Sequence, residues 1–598
     1  MSASLKNKRR RSVASLAAVC CTLAATAALH GQTAESQPAP ISGIPTAPTA
    51  NVTINLIRLM VEQKLLPAEA AAKLIAQAEA EAAQVNAALA AAAAPKPAPA
   101  ASELAASAPT GAPGTVRVTY IPPHVRRQMV EEVRAEVMSQ AVDERWADPQ
   151  ALPEWATRWK FNGDIRLRYE AVSFPAGNDT ISGNLLNFTS LNNGKGQQSN
   201  TNAGVTQDEP LPFLNADQDR ERPRLRARFG ADVNLEEGFT TGIRLATGDS
   251  NSPISQNQTL GGGTGNFSKY EVWIDRAYLR HEATVADTLL TSSLGRVNNP
   301  FFGTSMIWSN DLGFDAAMVQ ARHRASDSFT HFGTAGLFPV HNTAFDLSTN
   351  QQTKTASADK WLYAVQAGTE WKINKDFEAK LGLAYYHFQN IEGKVSSPTN
   401  GSALDAGDTD GSRALFTQKG NTMMKVRNLN DLSATTTKQF NYFGLATPFR
   451  EVALTGRLDY NHYDPIQISL IGEVVKNVAL DKDQTESVAF NNLDGSDKFS
   501  GGDLGFFTAV QVGHAALAQR WDWSVSLGYR YVQTDAVVDG FADSDFGGGG
   551  TNVKGFTLGG NLALSSRVWI GARLMSADQV DGPTYKNDTL QFDINGRF

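Results

Sequence analysis

Along most of this chain apolar and polar residues alternate one by one, the period of two that marks β-strands with different surroundings on their two faces. Phe161, Gly163, Ile165, Leu167 and Tyr169 interleave with Asn162, Asp164, Arg166, Arg168 and Glu170. Leu225, Ala227, Phe229, Ala231, Val233 and Leu235 do the same against Arg224, Arg226, Arg228, Asp232 and Asn234. Trp361, Tyr363, Val365, Ala367, Thr369, Trp371 and Ile373 form a further apolar face, and Trp521, Trp523, Val525, Leu527, Tyr529 and Tyr531 another. The pattern predicts sixteen strands, at 158–170, 222–235, 239–248, 270–282, 288–297, 314–324, 329–338, 359–373, 377–389, 449–460, 465–477, 505–514, 521–532, 552–564, 568–576 and 588–598.

A soluble β-sandwich alternates too, so the ends and connections of the strands decide between the two. Trp and Tyr near the strand tips fit the aromatic girdles of a wall that crosses a bilayer. Tight turns at 236–238, 374–376, 461–464 and 565–567 alternate with longer connections, and those at 171–221 and 390–448 exceed fifty residues. Keeping that short/long phase through eight hairpins predicts a transmembrane β-barrel of about sixteen antiparallel strands, with both barrel ends on the periplasmic side. The fourth and fifth strands strain the pattern, because Asp275 to Arg280 and Leu290 to Arg296 each put an arginine in phase with apolar neighbours. A bulge or a one-residue shift would account for that. The last strand sets Leu590, Phe592, Ile594, Gly596 and Phe598 against Gln591, Asp593, Asn595 and Arg597. An amphipathic final strand ending in an aromatic residue resembles the signal read by the barrel-assembly machinery, which makes Phe598 the candidate assembly signal.

Ahead of residue 158 the pattern is different. Lys6, Lys8, Arg9, Arg10 and Arg11 precede an apolar stretch from Val13 to Leu29, the layout of a secretory signal peptide, assigned to residues 1–31. Residues 32–114 hold a helical stretch, with Leu56, Ile57, Met60, Val61 and Leu65 at helical spacing, and an Ala/Pro-rich linker. Residues 115–157 hold a second, periplasmic amphipathic helix carrying Val125, Met129, Val133 and Val137, either a short coiled coil between subunits or a helix lying at the barrel mouth. The barrel itself occupies 158–598.

Composition narrows the chemistry. Both cysteines, Cys20 and Cys21, fall within the signal, so the exported chain has neither disulfides nor thiolate sites. Without the five basic residues of the signal, the 54 Lys and Arg fall to 49 against 61 acidic residues, a net charge of −12, which argues against nucleic acid as a partner. Of the histidines, His124, His281, His323, His331, His341, His387, His462 and His514 follow the signal, and no two have metal-ligand spacing, so neither a metal nor another cofactor is expected. Gly261 to Gly265 and Gly547 to Gly550 lead into no helix and read as flexible loops. The acidic runs at 408–411, 481–483 and 539–545 lack calcium-loop spacing and read as solvated outer loops. His387 and His514, in phase with the outer face, leave room for a barrel-embedded hydrolase, but anchoring at the interface is the commoner role, and no enzyme is expected.

A barrel of this size encloses a water-filled channel, so the inward residues carry the function. They put Arg166, Arg168, Arg224, Arg226, Arg228 and Arg244 on one side, with Glu370, Glu378, Glu451, Asp459 and Glu473 on later strands. Either these arginines line a constriction, or they pair with Asp164, Asp232 and Glu170 and stiffen the wall. The connection at 298–313 offers Phe301, Phe302 and Trp308 as apolar anchors and Asp311 as a carboxylate to face the arginines if it folds inward; if not, it is an outer loop with an aromatic cluster at the membrane interface.

The stretches Asn55 to Leu59, Val116 to Tyr120, Phe161 to Glu170, Asp275 to Leu279 and Asp543 to Phe546 resemble the bacterial putative porin family, whose members join an N-terminal helical segment to a porin-like barrel. The resemblance implies passive diffusion of small hydrophilic solutes, a homotrimer, and contact with outer-membrane lipid and lipopolysaccharide. It carries no solute specificity. The expectation from another class is a structural or adhesive outer-membrane barrel with a plugged lumen, acting through its long loops.

Overall fold

The computed structural model describes residues 154–193, 212–248, 252–263, 265–343, 358–397, 407–427 and 442–598. The signal, the first helical stretch, the linker and all of the second amphipathic helix before residue 154 lie outside the described residues. Among the described residues sixteen long strands run in chain order: β1 (Trp159–Ser173), β2 (Arg220–Glu236), β3 (Phe239–Thr247), β4 (Val272–Val285), β5 (Thr288–Val297), β6 (Phe314–Arg324), β7 (Phe329–His341), β8 (Lys360–Lys372), β9 (Phe377–Gln389), β10 (Arg450–Tyr463), β11 (Ile466–Asn477), β12 (Leu504–His514), β13 (Trp523–Val532), β14 (Val553–Ala563), β15 (Val568–Gln579) and β16 (Lys586–Arg597). Each pairs antiparallel with the next, and β16 pairs with β1 from Asp164 opposite Arg597 to Ser173 opposite Asp588. The sheet is therefore a closed ring with no unpaired edge, the condition for crossing a bilayer with strands.

The alternation sorts the two faces. Phe161, Leu167, Phe229, Leu527 and Ile594 stand exposed on the outside, while Arg168, Glu170 and Gln591, their in-between neighbours, are buried inside. At one end the chain reverses by local chemistry. Glu236, Glu237 and Gly238 all take positive φ, and a Cβ on Gly238 would meet the Glu282 carbonyl oxygen at 2.3 Å, so glycine is required there. The Asn374 side chain accepts the N–H groups of Asp376 and Phe377, and Ser565 accepts those of Arg567 and Val568. The two ends of the ring alternate as expected, with one inversion of length: the turn at 515–522 is longer than the connection at 580–585 on the opposite end.

Of the irregularities expected in the fourth and fifth strands, a bulge forms in the fourth alone. Arg244 faces Arg276 while Leu245 faces Ile274, so Asp275 is an extra residue bulged into β4. The bulge turns Asp275 inward, where it is 1% exposed. Arg296 keeps its register and faces outward at the long-loop end, where Asp315 on β6 bonds it at 3.1 Å.

The apolar core lies inside the ring, in the half nearer the long loops. Phe301, Trp308, Phe314, Phe338, Tyr386 and Phe388 pack there with loop residues Val537, Val538 and Ala542. Above them, loops that leave the ring at distant strands lock together. Phe188 after β1 meets Phe443 before β10 at 5.1 Å between ring centroids, and Phe443 meets Phe490 after β11 at 5.0 Å. Asn192 fastens this contact by donating to the carbonyls of Ala414 and Phe443 and accepting the Phe443 N–H.

Three loop readings change. The acidic run at 539–545 is not solvated: Asp539 is 2% exposed, and Asp543 and Asp545 are paired with arginines inside the barrel. Within 408–411, Asp410 is buried against Arg427; the run at 481–483 stays exposed, and Asp481 caps the short helix Lys482–Val488 by accepting the Gln484 N–H. Gly547 to Gly550 are not a flexible spacer either, since all four hold positive φ and a Cβ on Gly550 would fall 2.1 Å from the Lys419 carbonyl oxygen.

Candidate channel constriction

The inward positions of β1 and β2 stack arginine upon arginine because their registers match: Arg166 lies opposite Arg226, and Arg168 opposite Arg224. Like charges this close need carboxylates between them. Asp164 accepts from Arg226 at 2.9 Å and Arg228 at 2.6 Å, and Glu170 accepts from Arg222 and from Arg224 at 3.2 Å. Arg168 makes a forked bond to Asp593 on β16 and reaches Asp545 at 2.8 Å. Arg244 is held by the bulged Asp275. Asp232, expected to join this set, instead accepts from the Tyr278 hydroxyl and the Asn162 amide.

The segment 298–313 runs inside the ring. Phe301 and Trp308, 7% and 2% exposed, seat it in the aromatic core. The Gln366 side chain on β8 takes both the N–H and the C=O of Phe302 at 2.7 Å, and Thr304 donates to Glu473 on β11. Ser305 accepts from Arg530 on β13 at 2.8 Å. Returning toward β6, the segment brings Asp311 to 3.1 Å from Arg226, with Arg166 at 3.9 Å and Arg228 at 4.0 Å. Of the two arrangements left open by the sequence, the inward one is what forms. A second loop supports it, as Gln256 donates to the Asp311 carbonyl and to Asp275.

A closed ring of sixteen antiparallel strands, crossed inside by the connection between the fifth and sixth, is a channel architecture. A family model described as "Putative porin" matches residues 50–598. The chain belongs to this family. Solved structures similar to this porin include Pseudomonas putida OprB at high pH, with 12% identity over 74% of this chain and 95% of that one and a TM-score of 0.39. The outer-membrane channel DcaP of Acinetobacter baumannii shows 11% identity over 74% and 97%, with a TM-score of 0.33. An anion-selective porin from Comamonas acidovorans shows 12% identity over 74% and 99%, with a TM-score of 0.33. No curated protein matches the chain in sequence.

The inward acids of this porin divide into two groups. Glu370, Glu378 and Asp459 lie toward the short-turn end around an opening of about 800 Å³, together with Arg322, Lys380 and Arg457. Glu370 is bonded by Arg322 and Lys380, and Asp459 by Arg457. The wall there is mixed in charge, not acidic. Glu451 and Glu473 do not face open water at all, being 1% and 2% exposed. Their strands place them beneath the loops, where Glu451 accepts the Val538 N–H and Glu473 holds Thr304 and Thr455. They are anchors for inward loops.

Residues outside the sequence reading complete the site. Asp545, from the loop after β13, bonds Arg168 and Arg573, and Asp543 bonds Arg530. Burial pushes the Asp545 carboxyl up, but Arg573, Arg168 and Arg224 together outweigh it and hold it well below the usual carboxylate range. The run from Asp543 to Phe546 was visible as a stretch resembling the family, yet loop residues carry no periodicity that would reveal their inward path. Asp275 was hidden by its bulge for the same reason. Nε of Arg166, Arg224 and Arg226 bonds no protein acceptor, so these guanidiniums are paired without being saturated. Among the described residues no group of three or more His, Cys, Asp or Glu is placed to hold a metal ion.

Proposed function

We propose that this outer-membrane porin passes small hydrophilic solutes by diffusion through a narrow, charged route along its arginine wall. The observation that carries the reading is the 298–313 segment, which crosses the lumen and sets Asp311 against Arg166, Arg226 and Arg228. Guanidiniums and a carboxylate face each other there in surroundings of low dielectric, and such a field orients dipolar solutes and disfavours apolar ones that must displace ordered water. The long loops face the exterior and the short turns the periplasm, with the N-terminal segment on the periplasmic side. By likeness to porins the assembly is a homotrimer in lipid and lipopolysaccharide, and Phe598 is read by the assembly machinery.

The test is the salt-gradient reversal potential in planar bilayers. Replacing Arg224, Arg226 and Arg228 together by Ala is expected to shift it toward cations, and an unchanged potential would sink the proposed role. A second reading, a plugged adhesive barrel, is favoured by the Phe188, Phe443 and Phe490 contact that spans the loop end. Liposome swelling with sugars of graded size separates the two, because a plugged barrel gives no size-dependent flux.

A further inference from the structure

Apolar side chains facing a water-filled lumen need a reason, and a group of them lies away from the arginine wall. Leu289 on β5 points inward and is 39% exposed. Phe332 on β7 and Phe302 at the start of the crossing segment meet edge to face, 6.2 Å between centroids. All three line one recess of about 530 Å³ roofed by residues 298–302. The recess has a consistent charge. Arg280, Arg322 and Lys380 line it, and no carboxylate does. Lys380 lies 4.6 Å from the centre of each phenylalanine ring, so positive charge and apolar surface are adjacent. Glu370 bridges Arg322 and Lys380 from the short-turn side. Arg280 has no ion pair among the described residues, and its Nε is buried without a hydrogen-bond partner.

The two amide side chains of its wall, Gln366 and Gln320, are already engaged in holding its roof. Gln366 clamps Phe302, and Gln320 donates to the Pro300 carbonyl at 3.2 Å. What the recess offers a solute is therefore the Arg280 guanidinium, which lies over the Tyr278 ring but has no carboxylate partner among the described residues, two further cations shared with Glu370, and an apolar floor. We propose that it is a binding subsite for a small organic monocarboxylate with an apolar body, the carboxylate on Arg280 and the body against Leu289, Phe302 and Phe332. A bare inorganic anion would leave the floor wet, and a neutral apolar solute would leave Arg280 unpaired. The subsite is entered through the lumen, so it rests on the channel reading, and it gives that channel a preferred class of passenger.

Equilibrium binding to the full-length protein in detergent, followed by saturation-transfer NMR, tests this with benzoate, acetate and benzyl alcohol as probes. Benzoate is expected to bind at least tenfold more tightly than either of the others. Arg280→Gln is expected to weaken benzoate at least fivefold, Arg280→Lys to restore most of that loss, and Phe332→Thr to reduce benzoate to the level of acetate. Acetate equal to benzoate, benzyl alcohol equal to benzoate, or a loss caused by Arg224→Gln but not by Arg280→Gln would each overturn the assignment. Variants are compared only where the heat-modifiable gel shift shows a folded barrel. Because binding is read without a membrane, a protein that binds benzoate but does not conduct contradicts the channel reading alone. One that conducts but does not bind contradicts the subsite alone.

Discussion

Asp311 is a single carboxylate set before three guanidiniums, and in the proposed route it is the charge that balances them. Asp311→Asn keeps the shape and an acceptor oxygen but removes the negative charge 3.1 Å from Arg226. The reversal potential is expected to move toward anions, opposite in sign to the triple arginine replacement, and movement in the same direction for both would show that the two do not share one field. The arginines themselves were legible, because each falls on the polar phase of a strand. Their partners were legible unevenly: Asp164 and Glu170 follow from the alternation and Asp311 from one of two paths open to its connection, whereas Asp545 arrives on a loop and Asp275 through a bulge. Phase alone puts Asp232 with the arginines, while the Tyr278 hydroxyl claims it at 2.7 Å.

The segment 533–552 is built around buried ionisable groups. Burial pushes Asp539 up to about 7 against the opposing N–H groups of Gln418 and Gly540, and pushes Asp535 up to about 6 against Thr422 and Thr534. Burial likewise drives Lys419 down to about 7, partly offset by Asp539. Between the ordinary carboxylate value near 3.8 and these raised values, the closed segment keeps protons that an opened one releases, so closure weakens as pH rises from about 4 to about 7. Lys419 acts in the other window, its closed form losing a proton that the opened form keeps, so closure strengthens again above about 7. Hydrogen exchange corrected for intrinsic rates is expected to show more protection of 533–552 at pH 5 than at pH 7, and equal protection would remove these carboxyls from its stability. An element like this leaves little trace in a sequence: its acids look solvated and its glycines look flexible until the partners, Lys419 and Gln418, are known to lie against them.

At the scale of the molecule the barrel was legible almost to the residue, since lipid outside and water inside repeat one rule across sixteen strands. What escaped was the interior traffic of loops, governed by contacts between distant parts of the chain. The closure was legible in Phe598, and the structure adds its counterpart. Gly163 and Phe598 exchange backbone hydrogen bonds at 3.1 and 3.0 Å, and the Phe598 ring covers Gly163 so closely that a Cβ there would meet it at 2.4 Å. Gly163→Leu is expected to displace the ring and cost about 1–3 kcal/mol, read as a lower temperature for the heat-modifiable gel shift. Gly596→Ala, on the neighbouring strand with no heavy atom within 4 Å of its new Cβ, is expected to leave that temperature unchanged. The crossing segment has a mechanical consequence as well. It is fastened to β2, β8, β11 and β13, well apart around the circumference, and so acts as a strut across a thin-walled tube. A braced tube resists being squeezed oval, so lateral pressure from a crowded membrane leaves the bore its width.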